Sequence, residues 1–210
     1  MSTLTIMKAR ISDELARSDL TTQIAYAITD AIERYQGDRF WFNESRDVTF
    51  NTVASQEYYT SSDNANIPNI YAIDYAAITV GTNVHMLRRE VPEMIENWSD
   101  NGTQTGEPYA YTYFQKKIRL YPVPTAVYAV RLAGHVKVAA PASDGEADNV
   151  WMTDAERLIR SRAKYNLAMD VTQDPDLAQR MVAAVNDAYD QLKGRTNRQV
   201  GTGVIASVAF

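Results

Sequence analysis

The sequence predicts an α+β protein in which helical hairpins from both chain ends pack as a bundle, with an inserted antiparallel β region and an extended C-terminal tail. Three observations predict it: apolar residues recur at helical spacing toward both ends, short β-prone runs fill the middle, and residues 195–210 leave the helical pattern. At 210 residues, 45% of them hydrophobic, the chain suffices for one good-sized domain or for a helical body carrying a β insertion.

Leu4, Met7, Ile11 and Leu15 stand three and four residues apart and make one apolar stripe, which predicts a helix over 4–17. Ser18-Asp19 interrupts it with cap-type residues, and Ile24, Ile28, Ala31, Ile32 and Tyr35 repeat the spacing up to Gly37. Residues 1–38 therefore read as an N-terminal helical hairpin. From Arg39 the texture becomes β-prone, with Phe40-Trp41-Phe42, Val48-Thr49-Phe50 and Tyr58-Tyr59-Thr60 separated by polar turns. Ile67-Pro68-Asn69 leads into an apolar strand over 70–80; Gly81-Thr82-Asn83 turns it back, and 84–88 reads as its antiparallel partner. Pro92 suits the first turn of a short helix through Trp98, closed by Asp100-Asn101-Gly102.

Gly106-Glu107-Pro108, a tyrosine-rich run to Phe114, Gln115-Lys116-Lys117 and Ile118-Arg119-Leu120-Tyr121-Pro122-Val123-Pro124 read together as a hairpin. Its prolines lack the amide hydrogen of a ladder and are expected to end the strand at a sheet edge. In the next strand Tyr128, Val130, Leu132, Val136 and Val138 share a core face, and Arg131, His135 and Lys137 a wet one. The β region is thus 39–140, followed by an acidic linker over 141–152. Thr153-Asp154-Ala155-Glu156 reads as a capping box opening a helix to about Asp170. Asp174 and Pro175 open the last helix, whose stripe of Leu177, Met181, Ala184, Val185, Ala188 and Leu192 is expected to close at Gly194, giving a C-terminal helical pair over 153–194.

Composition removes several classes of function. There is no cysteine, hence no disulfide scaffold, thiolate nucleophile or cysteine-bound zinc. A net charge of -5 argues against affinity gained by neutralising phosphates. No apolar run is long enough for a membrane span, and the first residues lack a signal-peptide core, which predicts a soluble, unprocessed chain. Thirteen tyrosines against five phenylalanines suit half-wet subunit contacts, or simply tyrosine-rich strands.

Catalytic signatures are sparse. The two histidines, His85 and His135, each fall in a strand, with no Gly-x-Ser-x-Gly elbow for a serine nucleophile. Phosphate-cradling glycine loops are missing, and Gly201-Thr202-Gly203 reads as a flexible joint. Asp144, Glu146 and Asp148 alternate as calcium ligands can, but the glycine and glutamate of such a loop are misplaced, which favours a solvated linker. Glu14 and Glu33 could serve as a glycosidase pair, yet any chain with 26 acidic residues offers many such pairs. No catalytic, metal or cofactor-binding residue is predicted, and the chain is expected not to be an enzyme.

The run Gly106-x-Pro108, the tyrosines after it, Tyr121-Pro122-x-Pro124 and the helix near Asp154 resemble the head-to-tail adaptor proteins of tailed bacteriophages, of the tail tubular protein A type. The helical hairpin at the start and the basic, glycine-containing end from Arg195 extend the resemblance over nearly the whole chain, while the length of β material over 39–83 departs from that pattern. The resemblance implies a virion protein at the head-to-tail junction, synthesised in the host cytoplasm. It implies a ring of about twelve copies beneath the portal protein. The ring would extend the channel for double-stranded DNA without binding it specifically, and carry the nozzle or tube proteins of the tail. In such a protein the C-terminal tail, here residues 195–210, reaches up to dock on the portal; the basic start and apolar end of this tail suggest Val204, Ile205, Val208 and Phe210 as apolar anchor, with Arg195 and Arg198 pairing with portal carboxylates. Two other readings are a phage-borne cell-wall hydrolase using a carboxylate pair and a tyrosine-rich module that binds carbohydrate or a receptor.

Overall fold

The structure, a computed structural model, describes residues 2–99 and 104–200. In chain order among them the helices are α1 (Leu4–Leu15), α2 (Thr21–Tyr35), α3 (Pro92–Ser99), α4 (Val150–Thr153), α5 (Glu156–Asp170) and α6 (Pro175–Val200). The strands are β1 (Glu44–Asn51), β2 (Tyr58–Tyr59), β3 (Ile70–Val80), β4 (Asn83–Arg89), β5 (Thr105–Gly106), β6 (Ala110–Phe114), β7 (Lys117–Tyr121), β8 (Val123–Pro124) and β9 (Ala129–Val136). The predicted α+β class is what these elements make. They divide into two units, a helical one within Met1–Phe42 and Ala139–Phe210 and a β-rich one, Asn43–Val138.

In the helical unit Thr3 starts α1 by accepting the Ile6 amide on its hydroxyl. Ala16 ends it in a left-handed conformation, φ 52°, from which the Ala16 and Arg17 amides close back on Asp13 and Ser12 carbonyls. Ser18 and Asp19 do not cap α2, whose first turn lacks a side-chain cap. Instead Asp19 takes the Arg17 guanidinium at 2.8 Å twice, a pairing that holds its carboxyl at about 2. The α2 stripe of Ile24, Ala27, Ile28, Ala31, Ile32 and Tyr35 is buried, and α5 packs against α2 and α6. Ion pairs fasten α1 to α5: Arg10 to Glu156 at 3.0 Å, and Glu14 to Lys164 at 2.6 Å and to Arg160.

Three sequence readings fail here for reasons of packing. Phe40-Trp41-Phe42 is no strand: residues Trp41–Asn43 turn in a short 3-10 helix. Phe40 and Phe42 both set their rings edge-on to Trp151, which is fully buried, and that packing outweighs β propensity. The capping box does not form either. Asn149 caps α4 by accepting the Trp151 amide, Thr153 lies inside α4 with its hydroxyl on the Asn149 carbonyl, and α5 begins uncapped after Ala155. Third, α6 runs through Gly194 to Val200. Leu192 and Thr196 are buried on either side of the glycine, and Arg195 is tied down beyond it, contacts that exceed the cost of a mid-helix glycine, about 1 kcal/mol. Residues 195–200 are therefore helix, not extended tail. The opening of α6 agrees with the sequence, Asp174 accepting the Leu177 amide at 2.9 Å.

The β-rich unit is one seven-stranded sheet in the order β1-β9-β3-β4-β6-β7-β2, with β5 and β8 paired separately. It is not purely antiparallel, since β4 runs parallel to β6 and β5 to β8. The hairpin in 106–124 is present as β6 and β7, but β7 lies between β6 and β2, not at an edge. Pro122 follows β7 after a cis peptide bond, and Pro124 belongs to β8. Val48, Phe50, Tyr59, Ile73, Ile78, Leu87, Tyr111, Ile118, Leu120, Val130 and Leu132 form the core. The wet face assigned to Arg131, His135 and Lys137 needs one correction, because His135 is 1% exposed and its ring lies 5.0 Å from that of Tyr71. Bulges opposite β9, between Ile73 and Tyr75 and between Ser45 and Val48, break the alternation there. Gly134 makes them possible: a Cβ at this position would stand 2.1 Å from the Ala72 carbonyl oxygen.

Candidate functional site

Of the residues read as portal-binding, the structure describes Arg195 and Arg198; Val204, Ile205, Val208 and Phe210, and the joint at 201–203, lie outside the described residues. Arg195 turns inward along its own chain. Its guanidinium donates to Asp154 Oδ1 at 2.9 Å and lies 4.5 Å from the centre of the Trp41 ring. Lys193, two residues earlier, donates to the Arg39 carbonyl at 3.0 Å beneath Phe40 and Tyr189. Arg198 sits in the last turn of α6, exposed, and its Nε donates to the Gly194 carbonyl at 3.2 Å. The sequence reading places Arg195 and Arg198 together as docking cations; the structure instead uses Arg195, with Lys193, to fasten α6 to the aromatic segment at 39–42.

Of the carboxylates in the hydrolase reading, Glu14 is held between two cations. Burial pushes the Glu14 carboxyl up, but Lys164 on one oxygen and Arg160 on the other outweigh it and hold it below its ordinary 4.5. Glu33 is an exposed residue of α2. In the acidic linker Asp144 accepts Lys8, and Glu146 accepts the Ala142 amide and the Asn149 side chain. Among the described residues no group of three His, Cys, Asp or Glu could hold a metal ion.

A feature that sequence reading missed lies in the β-rich unit. Arg119, on β7 between the buried Ile118 and Leu120, is only 7% exposed. Its guanidinium is divided among Glu57, Glu96 and the Ser99 hydroxyl, the last at 3.0 Å, with the Tyr58 ring 5.4 Å away. This ties α3 to the sheet with the charge compensated on the spot. The hint in the sequence is one arginine set between two apolar residues of a strand, Ile118 and Leu120. Beside it opens a cleft of ≈ 380 Å³ lined by Tyr58, Pro92, Glu96, Thr112, Phe114, Gln115, Lys117 and Arg119.

The tyrosines divide as both sequence readings allowed. Tyr113 donates to the Ile67 carbonyl at 2.9 Å and Tyr121 to that of Trp98 at 2.9 Å, which are core positions with a satisfied hydroxyl. Tyr26 at 67%, Tyr71 at 53% and Tyr109 at 53% are exposed, along with Val84, Met86 and Phe114. Both units thus turn large apolar side chains to solvent, as surfaces for other proteins do.

Exposed apolar side chains on both units, with the nearly enclosed Arg119 paired within the fold, fit a structural protein that contacts other proteins. The sequence matches the family described as SU10 adaptor protein over residues 2–208, and the chain belongs to that family of phage head-to-tail adaptors. As a phage adaptor it is a structural component of the virion. No curated protein matches the chain. Among the described residues no helix is long and apolar enough to cross a membrane.

Proposed function

We propose that the protein assembles as a ring of about twelve copies beneath the portal, closed by heterologous side-to-side contacts. The ring prolongs the DNA channel at the head-to-tail junction and offers the platform on which nozzle or tube proteins of the tail are built. Family membership across residues 2–208 is the observation that carries this reading, and the exposed aromatic and aliphatic side chains of both units support it. A net charge of -5 suits a conduit that lets double-stranded DNA pass without holding it.

In this reading 1–38 and 153–194 supply a helical body, 39–140 an inserted β-rich part and 141–152 the linker between them. The end of the chain reaches the portal, with Val204, Ile205, Val208 and Phe210 as the apolar anchor. Arg198 pairs with a portal carboxylate, and Arg195 joins it by exchanging Asp154 for a portal acid. The test is truncation after Val200, which leaves α6 whole, followed by binding to purified portal rings. Loss of binding is expected; undiminished binding overturns the docking role. Reconstruction of intact particles should show the adaptor as a closed ring at the portal vertex, and a vertex without it overturns the ring.

A further inference from the structure

The hairpin joining β6 to β7 ends in a turn that local energetics would not select. Gln115 and Lys116 both have positive φ, 50° and 60°, the geometry of a two-residue type I′ turn, for which Asn-Gly is the favoured pair. A long cationic side chain is thereby held at the crest of the hairpin. Phe114, 60% exposed, and Lys117 flank it, and Tyr58, 45% exposed, lies across the adjoining cleft. Neither lysine has an ion pair among the described residues. An aromatic pair with two unmatched ammonium groups suits a protein surface carrying an apolar ring and carboxylates better than it suits a phosphate backbone.

The chain itself offers such a surface. On α2, Tyr26, Asp30 and Glu33 follow one another at i, i+4 and i+7, which places them on one side of the helix. All three are exposed, Tyr26 by 67%, and neither carboxylate has an ion pair among the described residues. Sign, number and ring chemistry match the hairpin crest. We propose that the β6–β7 crest of one copy docks on the outer side of α2 of the next copy, Lys116 and Lys117 meeting Asp30 and Glu33, and Phe114 and Tyr58 covering Tyr26. This rests on the ring reading and names one of its contacts. Each copy both gives a crest and receives one, which is the heterologous pattern that closes into a cycle.

The absence of native cysteine makes the test clean. Lys116→Cys and Asp30→Cys are placed together in one chain and carried into phage particles, which are then oxidised. The expected result is a ladder of dimers and higher multimers on a denaturing gel, with no ladder from unoxidised particles or from oxidised particles that carry either single variant. Particles that contain the double variant but yield only monomer, including a faster-migrating internally bridged monomer, overturn the docking and leave the ring standing. If the unsubstituted chain forms no ring at the vertex, the ring reading itself falls. In a second arm, Lys116→Glu with Lys117→Glu lowers incorporation about tenfold, and adding Asp30→Lys with Glu33→Lys restores it; failure to restore overturns the charge pairing. Gln115→Asn with Lys116→Gly separates fold from docking: this variant should melt higher than the parent and yet incorporate less, whereas unchanged incorporation counts against the crest as a contact.

Discussion

In the helical unit the charged pairs lie at the surface and are many: Arg10 with Glu156, Glu14 with Arg160 and Lys164, Arg157 with Asp187, Arg195 with Asp154. In the β-rich unit one arginine is nearly enclosed and serves two carboxylates and a hydroxyl at once. The first arrangement leaves specificity to the aromatic cluster of Phe40, Phe42 and Trp151, and its ion pairs add small, separable increments. The second concentrates consequence at a single residue, because a buried ion left without its partner keeps the full desolvation cost. The two units should therefore respond differently to single substitutions.

The largest effect is expected at Trp151, where replacement by alanine empties the centre of the aromatic cluster and costs about 4 kcal/mol. Urea titration followed by far-ultraviolet circular dichroism checks it, and a loss below about 1 kcal/mol would mean that the cluster is not what holds α4 in place. Next is Arg119→Met, which strands Glu57 beside the core; Glu96 can turn to water. About 3 kcal/mol should be lost. The amides of α3 are the local reporter, since Arg119 holds Glu96 and Ser99 of that helix; their hydrogen exchange should quicken in Arg119→Met more than in Trp151→Ala.

Gly134→Ala tests the bulges from the other side. The added methyl meets the Ala72 carbonyl and the Ile73 Cα, and β3 must move, at about 2 kcal/mol. Hydrogen exchange of the β3 amides should quicken, and unchanged protection would show that the strand yields without cost. The smallest effect is Glu14→Gln, about 0.5–1 kcal/mol for a half-exposed pair with two cations. Because this carboxyl titrates below its ordinary 4.5 in the folded chain, its contribution is present above that value and fades as pH falls through the lowered one. The stability gap between parent and variant should be full at pH 7 and close in stronger acid; a gap that persists below both values would trace to packing and not to charge.

Much of the fold was legible because its periodicities are clean. The α2 stripe, the 70–80 strand with its return over 83–89, the Pro92 helix and the Asp174-Pro175 start all stand where spacing and cap chemistry put them. Legibility failed where a side chain's partner is remote in sequence. Trp151 decides that 40–42 does not extend and that α4 begins before the supposed capping box. Asp154 and Trp41 hold Arg195 in a helix that Gly194 was expected to close. The Arg119 cluster draws on β7, on α3 and on residue 57, a set that no local window contains.

By itself, then, the amino-acid order determined the class of the protein, most helices and strands, and the resemblance that family membership upholds, because these depend on repeats of two and 3.6 residues and on short motifs. Tertiary structure alone decided which cations are available to a partner, where β9 flips a histidine inward and how the strands are ordered. Those outcomes depend on contacts between residues tens of positions apart, where burial and the satisfaction of charge outweigh local propensity.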